Sequence, residues 1–137
     1  MQLKANFWND FTPRTRVDQA GTTPFHSIHL ASRDNGTPAV EAVQAALKRI
    51  ADKSPQLVFP FVPDPDVTGF RWGPFDIVQS EIDDSAFGTS TDLAVQRFQK
   101  QAALQADGKA GMDTLGQIDS MLAFLEIPAP PPSPFDF

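Results

Sequence analysis

Two kinds of side chain in this sequence have the chemistry for a reactive or metal-binding site. His26 and His29 are the two histidines, and Glu81, Asp83 and Asp84 form a short acidic run. In a strand the two histidines face opposite sides, and there is no HExxH pattern or cysteine to complete a zinc set. They read as surface or half-buried residues. A carboxylate pair can cleave a glycosidic bond only when it flanks a cleft that holds the sugar. The acidic run has no sequence around it that would build such a cleft, and it reads as a solvated turn. With no cysteine, the chain has no thiol nucleophile, thiolate ligand or disulfide. GxSxG, phosphate-loop and dinucleotide fingerprints are also missing, so we assign no catalytic residue, metal or cofactor and expect no enzyme.

The elements that would position any site come from a chain of 137 residues, the size of one ordinary domain. Eleven basic residues against 17 acidic ones give a net charge of −6, which repels a phosphate backbone and argues against nucleic acid. The first twenty residues lack the apolar run of a secretory signal, and no segment approaches the roughly 20 apolar residues of a membrane span. The expectation is a chain made in the cytoplasm, with no membrane insertion.

Thirteen prolines and twelve phenylalanines lie mostly outside the helical segments. Residues 1–24 read as an extended N-terminal arm carrying Phe7, Trp8 and Phe11. Ile28 and Leu30 alternate with Ser27 and His29, a short strand or hairpin pattern. Thr37 and Pro38 open a helix with Val40, Val43, Leu47 and Ile50 on one stripe, ended by Pro55. Residues 55–84 form a proline-rich excursion in which Phe75 to Gln79 reads as a short edge strand. Further helices fit Ser90 to about Ala103 and Asp113 to about Leu125, so three amphipathic helices close one core. Residues 128–137 read as a polyproline II tail.

The run from Phe87 to Lys100 and the run from Leu104 to Thr114 together resemble the peptidoglycan-binding domain family. The residues that carry the resemblance are Gly88, Thr91, Ala94, Val95, Phe98, Gln99, Leu104, Asp107, Gly108, Gly111 and Thr114, with Val40, Val43, Gln44 and Leu47 in the first helix. The chain departs from the pattern at Ser85 and Ala103, where glycine is usual, at Gly116 inside the third helix, and in the long stretch between helices one and two. The resemblance covers residues 28–53 and 84–125. It implies a mainly α, three-helix bundle over residues 25–127, with residues 55–84 inserted.

What the resemblance implies for function is a non-catalytic module that recognises cell-wall peptidoglycan. The ligand would lie in a shallow groove at the turns carrying Asp84, Phe87, Gly88, Asp107, Gly108 and Gly111. The alternative is a structural adaptor of a phage or injection-type particle, delivered to the wall and using the fold for protein contacts. Phe70, Trp72, Phe75, Phe135 and Phe137 are the candidate partner contacts, since aromatics bury large areas with few torsions to freeze.

Overall fold

The computed structural model describes residues 2–30, 32, 34–58, 61–63 and 69–127. Five α-helices follow in order: α1 (Thr15–Thr22), α2 (Pro38–Asp52), α3 (Gln79–Asp83), α4 (Thr89–Gln101) and α5 (Met112–Leu125). Short 3-10 turns span Asn6–Asp10 and Ser54–Leu57. The three helices expected from periodicity are α2, α4 and α5, and the expected apolar stripes of all three are largely buried.

Residues 1–24 are not an extended arm. Val17 and Ala20 bury one face of α1, which packs on α5 and α2. Ahead of α1 the chain is strapped down by carboxylates. The amides of Lys4 and Ala5 and the indole N–H of Trp8 donate to Asp119 of α5, at 2.8, 2.8 and 2.9 Å. The amides of Asn6 and Phe7 donate to Glu126, and that of Leu3 to Asp18. Buried Asp119 is tolerable because three charge-assisted hydrogen bonds replace its hydration. Composition conceals this, since a segment rich in aromatics and polar residues has no period to read.

The expected strand at Ile28 is also corrected. Among the described residues there is no sheet, and the pattern there shrinks to a single antiparallel bridge between Ile28 and Ala110, with N···O distances of 3.0 and 2.9 Å. The edge strand expected from Phe75 to Gln79 is broken by Asp76, whose φ is +54°, and Gln79 already begins α3.

The described part of the 55–84 excursion folds onto the bundle through Trp72. Its ring stacks on Phe98 with centroids 5.4 Å apart, its indole N–H donates to Leu57 O at 3.0 Å, and Phe70 meets it edge-on. Gln101 clamps the same segment by accepting from the Gly73 amide and donating to Arg71 O. Trp72 and Phe75, expected as partner contacts, are therefore buried core, and Phe70 is half-buried beside them. The physical reason is that a run this apolar next to a bundle covers itself before it covers a partner. The tail 128–137, with Phe135 and Phe137, lies outside the described residues.

α4 ends in a helix stop of the Schellman type, in which Leu104 N bonds to Gln99 O at 2.7 Å and Ala103 takes φ +59°. A left-handed residue with a β-carbon is strained, so Ala103→Gly should raise stability by about 1 kcal/mol in denaturant unfolding. Phe98→Ala should lower it by about 3–5 kcal/mol, because it leaves a cavity under Trp72. A melting temperature untouched by Phe98→Ala would place the core elsewhere.

Candidate functional site

Two turns of one design launch α4 and α5. Asp84-Ser-Ala-Phe-Gly-Thr-Ser-Thr91 and Asp107-Gly-Lys-Ala-Gly-Met-Asp-Thr114 share an acid, a left-handed second residue, a fifth-position glycine and an eighth-position threonine, 23 residues apart. The second turn is tied to α4, the helix before it, by buried Gln99, and the first turn is tied to α2 by buried Gln44. Gln99 Nε2 donates to Asp107 Oδ1 (3.0 Å), Lys109 O (3.1 Å) and Thr114 Oγ1 (3.0 Å), while its Oε1 accepts from the Gly108 amide at 3.0 Å. Gln44 Nε2 donates to Ala86 O (3.0 Å), Thr91 Oγ1 (3.1 Å) and Glu81 O (3.2 Å). The parallel fails at two places: Gln44 reaches Glu81 O where Gln99 reaches the Asp107 carboxylate, and one oxygen is left over. Ser85 sits where Gly108 does, but its amide bonds to Ile82 O, and Gln44 Oε1 has no partner among the described residues.

Glu81, read from sequence as part of a solvated acidic run, is a helix cap. Its carboxylate accepts from the amides of Gly88, Ser90 and Thr91 (2.9, 3.0 and 2.9 Å) and from the hydroxyls of Ser90 and Thr91 (2.7 and 2.8 Å). These amides are the donors that α4 cannot pair internally, and the helix dipole favours a negative charge there. Gly88 is required because a β-carbon would lie 2.7 Å from the Glu81 carboxyl carbon. Burial works to raise the Glu81 pKa, but the bonds from Ser90 and Thr91 outweigh it and hold the group at about 2. The sequence signal for this role is an acid seven residues before a glycine that opens a helix.

The second turn opens onto a groove of about 520 Å³ lined by residues 23–29 on one side and by Asp107, Lys109, Gly111 and Asp113 on the other. The first turn opens elsewhere, with Ser85 lining a groove of about 620 Å³ together with α2 and residues 71–77. Sequence reasoning grouped the two turns as one site, whereas the fold gives each its own groove. Of the expected ligand contacts, Asp107 and Gly111 line the first groove. Gly108 is buried beneath Asp92, Phe87 is core, Gly88 is covered by Glu81, and Asp84 is exposed. Phe87 is buried because its amide is fixed by Asn35 at 2.8 Å in a turn packed against the bundle.

What was missed is the loop that forms the far wall of the groove. Arg16 of α1 donates to the carbonyls of His26 and Ser27 and pairs with Asp34 at 2.9 Å, which holds residues 26–27 in place. Asp34 is held below its usual pKa: burial opposes this, but hydrogen bonds from Arg16 and Ser32 prevail. The loop presents Phe25, fully exposed and with φ +63°, at the groove's edge. The positive φ cannot be read from a phenylalanine in sequence. His29 lines the same groove and His26 is exposed.

The geometry is a shallow, mixed-polarity groove beside a turn built on Gln99, and a comparison with known families bears on that turn. Residues 71–118 match the family model of the putative peptidoglycan binding domain. The matched span takes in the Trp72 segment, α3, α4, both turns and half of α5, and it leaves α2 outside. No curated protein and no solved structure gives a match to the chain. Among the described residues, no helix is long and apolar enough to cross a membrane.

The Glu81 cap predicts an acid response. A group whose pKa falls from 4.5 in the unfolded chain to about 2 in the fold stabilises fully above 4.5 and loses that contribution as pH drops toward 2. Glu81→Gln should be less stable than the wild type at pH 7, and its melting temperature should fall less steeply between pH 5 and 2. Parallel curves for the two proteins would mean that the carboxylate is not the cap.

Proposed function

We propose that the chain is a non-catalytic module that binds bacterial cell-wall peptidoglycan in the groove at the second turn. The observation that carries this reading is the family match over residues 71–118, which contains the Gln99-tied turn and the groove wall it forms. Asp107, Lys109 and Asp113 offer acceptors and a cation along an open surface, the equipment for a polymer that must enter from the side. Modest affinity, with retention through many contacts along a sacculus, fits a shallow groove.

Co-sedimentation with purified sacculi tests the reading. The wild-type chain should be enriched over an acidic control protein of similar size. The double variant Lys109→Glu with Asp113→Asn should reduce the bound fraction several-fold with the fold retained, because both side chains are exposed. Release of reducing sugars or amines from the sacculi is not expected. No enrichment of the wild type would reject wall binding and favour the adaptor of a phage-like or injection-type particle.

A further inference from the structure

We propose that Phe25 is a stacking platform for a sugar ring, so that the groove at the second turn reads the glycan strand of peptidoglycan and not its stem peptides. This rests on the wall-binding reading above and adds to it the part of the polymer that is recognised. The aromatics that the sequence offered for stacking, Trp72 and Phe75, are consumed by the core. Phe25 is the opposite case. Its side chain is fully exposed and lines the groove without cover from the described residues, and its backbone holds a left-handed φ of +63° that a phenylalanine adopts only under constraint.

The constraint is visible on both sides. The Thr23 amide closes α1 by bonding to Gln19 O, Arg16 grips the carbonyls of His26 and Ser27, and Ile28 pairs with Ala110. Residue 25 is thus held between fixed points, with its ring projecting at the mouth of the groove. A pyranose has an apolar face of C–H bonds and a rim of hydroxyl and acetamido groups. The groove matches both: Phe25 and Met112 are exposed apolar surface, and Gln105, Lys109 and Asp113 are exposed donors and acceptors around them. A stem peptide of small and charged residues has no comparable flat apolar face for the Phe25 ring to stack on.

The test uses the full chain with Phe25→Gly and Phe25→Trp, each measured on three probes: whole sacculi, glycan strands enzymatically stripped of peptide, and free stem peptides. Wild type should bind sacculi and stripped strands. Phe25→Gly should bind stripped strands at least tenfold more weakly while melting at the same or a higher temperature, since glycine relieves the left-handed strain. Phe25→Trp should bind like wild type or better. Phe25→Gly binding stripped strands as wild type does, or binding confined to stem peptides, overturns the platform while leaving wall binding intact. Failure of the wild type to bind sacculi overturns the wall-binding reading itself.

Discussion

Gln99 on α4 meets the turn that starts α5, Gln44 on α2 meets the turn that starts α4, and each satisfies polar groups that no regular structure reaches. A tight turn buried between helices carries carbonyls and amides that would otherwise be stranded, and leaving such a group without a partner costs on the order of 1–3 kcal/mol. The side-chain amide of Gln99 meets one such carbonyl, at Lys109, and one such amide, at Gly108, together with the side chains of Asp107 and Thr114, and it thereby sets the distance between α4 and the turn at 107–111. The position of α5 follows from that turn, and so does the wall of the groove that the turn forms. Gln44 does the same for the turn at 84–88 with one acceptor left over, because Ser85 gives its amide to Ile82.

A second set of polar contacts closes the bundle from the N-terminal side. Asp18, Asp119 and Glu126 collect the amides of residues 3–7, so the chain before α1 is held as firmly as a helix would hold it. Arg14 flanks Asp18 at 2.9 Å and also donates to Leu3 O, which ties the strap to α1. Because α1 is fixed in this way, Arg16 can act as a rigid arm that reaches the loop at 26–27. The N-terminal segment therefore contributes to the groove indirectly, through one guanidinium.

Local strain gathers where the bundle is least regular. Ala103 and Ser85 take left-handed conformations at a helix stop and a turn, places where the backbone needs that geometry whatever the residue. Phe25 differs from them, since its strain accompanies full exposure of an apolar ring and yields no packing in return. Strain combined with exposure in one residue lowers stability in two ways, which is the pattern expected where a surface is kept for a ligand and not for the fold.

Periodicity was sufficient for α2, α4 and α5, because an apolar stripe at helical spacing has one cheap solution, burial against its neighbours. The turn residues Asp107, Gly108 and Gly111 were legible for a similar reason: glycine's tolerance of positive φ and the aspartate's short reach are local properties. The fate of Phe75 and Trp72 was not legible, since an aromatic in a proline-rich run reads the same whether it covers the core or waits for a partner. Nor was the role of Asp119, because a carboxylate becomes a strap only when distant amides are brought within about 3 Å of it, whereas the amides that Glu81 caps lie nearby in the chain. Sequence alone determined three of the helices, α2, α4 and α5, and the turn at 107–111, whereas α1 and α3 lie in segments that read as an extended arm and a proline-rich excursion. Tertiary structure decided which polar side chains hold the turns, that the two turns face different grooves, and that Phe25 stays in solvent, because each of these depends on contacts between residues far apart in the chain.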